Sequence, residues 1–145
     1  MIYGDTSFWV SLYVEDAHSA QAVELLRENK RSILWNDFCE LEFLTALARC
    51  CRIRSMSEDL RRQILSRHQR AMKDQLGVTI RQPDWGAAMQ RGCALANSVI
   101  LTLAGRSLDI LHVGIALELK VPEFWTFDKN QAAVAESQGL RVRGV

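Results

Sequence analysis

Five short strand-like runs, none longer than four residues, alternate with long helix-like stretches, and this alternation limits the fold more than any other feature of the chain. The runs are Ile2 to Gly4, Ser32 to Trp35, Val78 to Ile80, Phe124 to Phe127 and Leu140 to Val142, each read as a strand. Helices are expected over Thr6 to Leu12 and over Ser19 to Glu28, the second with Ala22, Val23, Leu25 and Leu26 on one side. Asp37 is placed to N-cap a helix to about Cys51. Ser55 with Glu58 three residues later has capping-box spacing for a helix to about Gln75, closed by Gly77. Asp84 starts a helix to about Ala104, with Gly105 after it. Ser107 opens another to about Lys120, with Pro122 as a stop, and Lys129 to Gln138 forms the last, ended by Gly139. Strands joined through helices must be parallel neighbours linked by crossovers. The expected fold class is therefore α/β, a parallel sheet covered by helices. In such sheets, sites form beyond the carboxyl ends of the strands, where strand order switches.

The 145 residues show no internal linker, repeat or low-complexity run, so residues 1–145 are expected to form a single domain. A chain of this size buries roughly 70% of its unfolded surface, which is core enough without disulfides or structural metal. The four cysteines, Cys39, Cys50, Cys51 and Cys93, form no C-x-x-C pair and read as small hydrophobes or incidental thiols. The net charge of +1 selects no class of partner. No charged and apolar leader opens the chain and no run of about 18 apolar residues occurs, so a soluble cytoplasmic protein without membrane contact is expected.

Four acidic motifs stand out against this frame: Asp5-Thr6-Ser7, Glu42 in Glu42-Phe43-Leu44-Thr45-Ala46-Leu47, Asp109-Ile110-Leu111-His112, and Thr126-Phe127-Asp128. Each sets a carboxylate beside an apolar segment, where a charge needs compensation. Converging carboxylates cannot neutralise one another, whereas a hard divalent cation such as Mg²⁺ compensates them well. Taken singly, each has an ordinary explanation. Asp5 and Asp128 follow strands and precede helices, so either can be an N-cap. Asp109 lies in the first turns of its helix, where the dipole favours an anion. Glu42 and Glu40 face opposite ways on one helix, and local spacing does not choose between them. His112 lies three residues after Asp109 on the same face.

The joint order of these segments resembles PIN-domain proteins, specifically VapC-type toxins of type II toxin–antitoxin pairs. The resemblance rests on Tyr3-Gly4-Asp5-Thr6-Ser7, on Glu42 to Leu47, on Leu108-Asp109-Ile110-Leu111-His112-Val113-Gly114-Ile115-Ala116, and on Phe124-Trp125-Thr126-Phe127-Asp128-Lys129. The closing Ala135 to Val142 resembles the family's last helix and strand. The resemblance implies a three-layer α/β/α domain with a central parallel sheet. It implies a Mg²⁺- or Mn²⁺-dependent endoribonuclease whose catalytic metal ligands are Asp5, Glu42, Asp109 and Asp128. It selects Glu42 over Glu40, and makes Asp5 and Asp109 the most direct ligands. A cognate antitoxin and a homodimer are the protein partners it implies. Two positions depart from the family pattern: Gly4 replaces an apolar residue, and Thr45 stands where Asn is frequent.

An RNA substrate must also be held. From Arg49 to Lys73 eight basic residues face two acidic ones, Glu58 and Asp59. Arg49 follows Glu42 by two helical turns on the same face, so a basic arm is expected beside the acidic site. Thr6, Ser7, His112 and Thr126 are the further candidates for supporting the carboxylates or touching RNA. Tyr13 and the tryptophans could stack on bases, although Trp9 and Trp125 lie in apolar segments and are expected in the core. Rival readings are a non-catalytic PIN-fold scaffold, a housekeeping RNA-processing nuclease, and a phosphatase or receiver-like domain. The last needs either two Asp in one short motif, the second of which Asp5-Thr6-Ser7 lacks, or a Lys placed against the phosphate.

Overall fold

The computed structural model describes residues 1–74 and 77–145; the expected helix end at Gln75 lies outside them. Five three-residue strands form one parallel sheet in the order β3-β2-β1-β4-β5. They are β1 (Ile2–Gly4), β2 (Ile33–Trp35), β3 (Val78–Ile80), β4 (Glu123–Trp125) and β5 (Arg141–Arg143). The helices are α1 (Thr6–Tyr13), α2 (Ser19–Glu28), α3 (Asp37–Arg52), α4 (Glu58–Lys73), α5 (Trp85–Ser98), α6 (Ser107–Glu118) and α7 (Lys129–Ser137). They pack in two sets, α1 with α2 and α3, α3 with α4, and separately α5 with α6 and α6 with α7. This is the three-layer α/β/α arrangement.

Chain order reverses at β1, which pairs with β2 through Tyr3 opposite Leu34 and with β4 through Gly4 opposite Trp125. The switch point therefore lies between the carboxyl ends of β1 and β4. The central strands are apolar and buried along their length because helices cover both faces. Trp125, Tyr3, Phe8, Phe43 and Phe124 are the largest side chains fully inside, and Trp9 and Trp35 join them, leaving Trp85 as the exposed tryptophan. Gly4, an irregularity in the sequence, has a packing cause. A Cβ there would stand 2.8 Å from the Phe8 ring, so the strand is glycine where the first helix folds over it.

Several helix boundaries differ from expectation. Asn36, not Asp37, caps α3, its side chain accepting from the Phe38 and Cys39 amides, while Asp37 accepts from Gln82 Nε2. Ser57, not Ser55, caps α4; the Ser55 hydroxyl turns back to the Cys50 carbonyl. That helix closes at Lys73 on Asp74, so Gly77, though left-handed at φ +72°, is not its cap. Asp84 caps α5 as expected, but the helix stops at Ser98, and Val99 to Leu103 form turns. Val23 faces solvent while Ala22 and Leu25 are buried. Arg106 occupies the N-cap position of α6, one residue before Ser107.

At the opposite edge of the sheet, Glu123 opens β4 and is 1% exposed. It accepts from Arg31 at 2.6 Å, from the Trp125 indole at 2.7 Å and from the Arg141 guanidinium. Burial alone would raise this carboxyl, but the bonds from Arg31, Trp125 and Arg141 outweigh it and hold its pKa at about 2. Because the folded value lies below the unfolded one of about 4.3, the stabilisation is complete above that value and is lost as pH falls towards 2. Glu123→Gln should therefore lower stability at pH 7 and flatten the acid limb between about pH 4.3 and 2, read by urea melts across pH. An acid limb unchanged by the substitution would contradict this.

Candidate active site

The backbone places Asp5 at the switch point, where its amide donates to the Trp125 carbonyl at 3.0 Å. Its side chain is 2% exposed. Oδ1 accepts from the Phe8 amide at 2.9 Å and the Ser7 hydroxyl at 2.7 Å, and Oδ2 accepts from the Thr126 hydroxyl at 2.6 Å. The capping role is thus real, yet it leaves a buried negative charge, and among the described residues no cationic side chain forms an ion pair with it. Burial raises the Asp5 carboxyl above its ordinary range, and the field of His112 with the bonds from Thr126, Phe8 and Ser7 only partly offsets this.

Glu42 reaches the same region from α3. Its Oε2 accepts from the Thr6 hydroxyl at 2.6 Å and lies 2.5 Å from His112 Nε2. Burial pushes this carboxyl up, but the contacts with His112 and Thr6 prevail and hold it below the usual range. Glu40 turns the other way, to the Trp35 indole at 3.2 Å and His68 Nε2 at 3.3 Å, tying α3 to the aromatic cluster under α4. Thr45 donates to the Leu41 carbonyl of its own helix, which accounts for that hydroxyl without a site role. A groove of about 570 Å³ runs past Glu42 and Thr6, and Arg49 lines it, as the two-turn spacing predicts.

Asp128 caps α7, accepting from the Asn130 and Gln131 amides, and its own amide donates to the Thr126 hydroxyl oxygen at 2.9 Å. Thr126 thereby ties the Asp5 carboxylate to the Asp128 backbone. The same hydroxyl lies 3.3 Å from Gln131 Oε1, and Gln131 Nε2 donates to the Asp109 carbonyl at 3.2 Å. Gln131, 2% exposed, escaped sequence reading because Asp128-x-x-Gln131 has the spacing of a helix cap. Tyr3 and Cys39 escaped it too, since an aromatic or thiol beside apolar residues reads as core. Asp109 joins this network through its backbone alone. Its Oδ2 accepts from the Arg106 amide at 2.9 Å, the dipole-favoured arrangement.

Thr126 thus joins the Asp5 carboxylate to the Asp128 amide, Thr6 and His112 meet at Glu42, and the Asp109 side chain turns to its own helix end. Among the described residues, no three His, Cys, Asp or Glu side chains are grouped closely enough to hold a metal ion in this arrangement. The donor chemistry nevertheless fits a hard cation. The bonds to Glu42, Asp109 and Asp128 each engage one carboxylate oxygen, and the second oxygen of each accepts no hydrogen bond among the described residues. The buried Asp5 carboxylate has no ion-pair partner among the described residues. No described helix is long and apolar enough to cross a membrane.

Solved structures share this fold at low identity. VapC20 from Mycobacterium tuberculosis, described as a sarcin-ricin loop cleaving toxin, superposes with a TM-score of 0.69 at 18% identity over 92% of this chain and 94% of that one. FitAcB from Neisseria gonorrhoeae gives 0.69 at 12% identity over 98% and 96%. VapBC2 from Rickettsia felis, bound to a DNA fragment from their promoter, gives 0.66 at 16% identity over 99% and 98%. No curated protein matches the sequence. The family model for the PIN domain matches residues 2–137, from the first strand through the last helix and so across all four acidic positions, and the chain belongs to that family.

Proposed function

We propose that this chain is a divalent-cation-dependent endoribonuclease of the VapC type, the toxin of a toxin–antitoxin pair, working as one domain over residues 1–145. The observation that carries the reading is the buried Asp5 carboxylate at the switch point, held by three donor groups and paired with no cation. Asp5, Glu42, Asp109 and Asp128 are the residues that would hold Mg²⁺ or Mn²⁺. The chemistry such a cation supplies when bound is Lewis-acid help, a lower pKa for the attacking water and neutralisation of charge at the phosphoryl group. The protein's own groups do the rest. Ser7 and Thr126 fix the Asp5 oxygens, Thr6 fixes one oxygen of Glu42, and a carboxylate accepts the proton of the attacking water.

RNA enters along the groove where Glu42 and Arg49 lie together. Arg49 meets the phosphate chain there, and the remaining arginines of α3 and α4 extend the positive surface. Arg49→Ala should weaken RNA binding uniformly across sequences and lower the slope of log affinity against log salt by about one. Filter binding across a salt series reads both, and an unchanged slope would remove Arg49 from the phosphate path. The antitoxin is proposed to cover the same groove, and the toxin to pair as a homodimer.

The test of the activity uses purified protein with RNA, in Mg²⁺ or Mn²⁺ and in excess EDTA. Cleavage is expected with metal only, and both Asp5→Asn and Asp109→Asn should abolish it. Cleavage by these variants at the wild-type rate would overturn the reading.

A further inference from the structure

A buried chain of polar contacts lies behind Glu42 and crosses three elements of the fold. Tyr3, inside β1 and 0% exposed, has its hydroxyl 2.8 Å from Nδ1 of His112 on α6. The other ring nitrogen of His112, Nε2, lies 2.5 Å from Oε2 of Glu42 on α3 and 3.2 Å from the Thr6 hydroxyl. At its far end, the Tyr3 oxygen accepts from the Cys39 thiol at 3.6 Å.

For a neutral imidazole the donor and acceptor roles admit one consistent assignment. An ionised carboxylate only accepts, so Nε2 carries the proton that faces Glu42. In the neutral ring, Nδ1 then bears a lone pair, and Tyr3 donates to it. The phenol oxygen is left to accept from Cys39. Burial drives the Tyr3 hydroxyl well above its ordinary range, so it keeps the proton it donates. Phe38 packs against the imidazole at 4.7 Å between ring centroids, and Tyr3 meets it edge-on at 5.6 Å. The ring is therefore fixed by two aromatic contacts and two hydrogen bonds.

The placement of the chain matters more than its length. β1 delivers Asp5, α6 carries Asp109, and α3 carries Glu42. One imidazole thus ties together the three elements that supply three of the four carboxylates. It also settles which Glu42 oxygen is engaged, since Thr6 and His112 both meet Oε2 and leave Oε1 for other use.

We infer that Tyr3 and His112 are positioning residues, a buried Tyr–His relay that presents Glu42 to the divalent cation of the proposed nuclease. This rests on the metal-nuclease reading above. Loss of an outer-shell partner typically lowers metal affinity 10–100-fold, and His112→Phe, which keeps the ring but loses both bonds, should fall in that range. His112→Gln offers one donor and one acceptor and should recover part of the loss. Tyr3→Phe keeps the stack on Phe124 at 5.4 Å and should lower affinity several-fold, less than His112→Phe.

The experiment is Mn²⁺ titration of the metal-free full chain by calorimetry, with thermal melts of each metal-free variant alongside. Saturable Mn²⁺ binding that is lost in Asp5→Asn supports the nuclease reading; no binding by wild type overturns that reading and this inference with it. Wild-type binding with affinities for His112→Phe and Tyr3→Phe within twofold of wild type overturns the positioning role alone. If His112→Phe does not fold, Tyr3→Phe and His112→Gln decide the matter by the same comparison. A second readout needs no variant or metal. Nitrogen NMR of the metal-free protein should show the His112 proton on Nε2, and a proton on Nδ1 would overturn the assignment.

Discussion

Asp5→Asn is expected to remove metal-dependent RNA cleavage while raising the melting temperature of the metal-free protein. The two effects have one cause. Asp5 is a charge buried at the switch point, supported by neutral hydrogen-bond donors and by no ion pair. Its folded pKa is raised, so the folded state binds more protons than the unfolded one as pH climbs past the usual carboxylate value. Stability therefore falls across that interval and stays lower at neutral pH. Asparagine has no charge to bury. Its carbonyl can accept from Phe8 and Ser7 as Oδ1 does. Its amide can donate to Thr126, whose hydroxyl can turn to Gln131 Oε1, already 3.3 Å away. The melting temperature should rise by a few degrees. Cleavage should fall by more than the roughly 10–100-fold cost of losing an outer-shell group. A variant that melts lower and cleaves normally would show that Asp5 is only a helix cap.

The largest stability effect is expected at Gly114. A Cβ at this position on α6 would stand 2.7 Å from the Ala88 carbonyl and 3.1 Å from the Gly92 nitrogen, both on α5. These are backbone atoms in a helix interior, so they cannot swing aside as a side chain can. Gly114→Val should force α5 and α6 apart. Overpacking costs about 1–3 kcal/mol or more, and the better helix propensity of valine returns only a few tenths. The melting temperature should drop by roughly 5–10 °C. Because α6 carries Asp109 and His112, activity should decline with it. Gly92 is the internal control. A Cβ there meets only Ile110 Cγ2 at 4.0 Å. Gly92→Ala should therefore be neutral or stabilising by up to about 1 kcal/mol, the helix preference of alanine. Equal melting temperatures for the two variants would refute the close helix contact.

β1 and β2 are legible because a buried parallel sheet needs continuous apolar runs, whereas the edge strand β5, with Arg141 and Arg143 exposed, has no such run. Cap positions were less legible where two good capping residues stand close together. Asn36 prevails over Asp37, and Ser57 over Ser55, because the cap is the residue whose backbone is still extended when the helix begins. Helix α5 was read too long because Val99, Ile100, Leu101 and Leu103 continue its apolar character through the turns that lead to α6. In the candidate site, the positions of Asp5 and Asp128 follow from strand ends, and Arg49 from helical spacing. The separation of Glu42 from Glu40 did not follow from spacing. It depends on Thr6 and His112, which approach from two other elements. The turn of Asp109 towards Arg106 follows from the dipole preference of the helix end.

The central claim is that four carboxylates distant in sequence serve one divalent cation. Anomalous diffraction from a crystal of the full chain grown with Mn²⁺ tests it most directly. A peak is expected at the carboxyl ends of β1 and β4, ligated by an Asp5 oxygen and at least one of Glu42, Asp109 and Asp128, with the Asp109 side chain drawn away from the Arg106 amide. A fully loaded crystal with no peak there, with a peak that Asp5 does not ligate, or with Asp109 still bonded to the Arg106 amide, would contradict it.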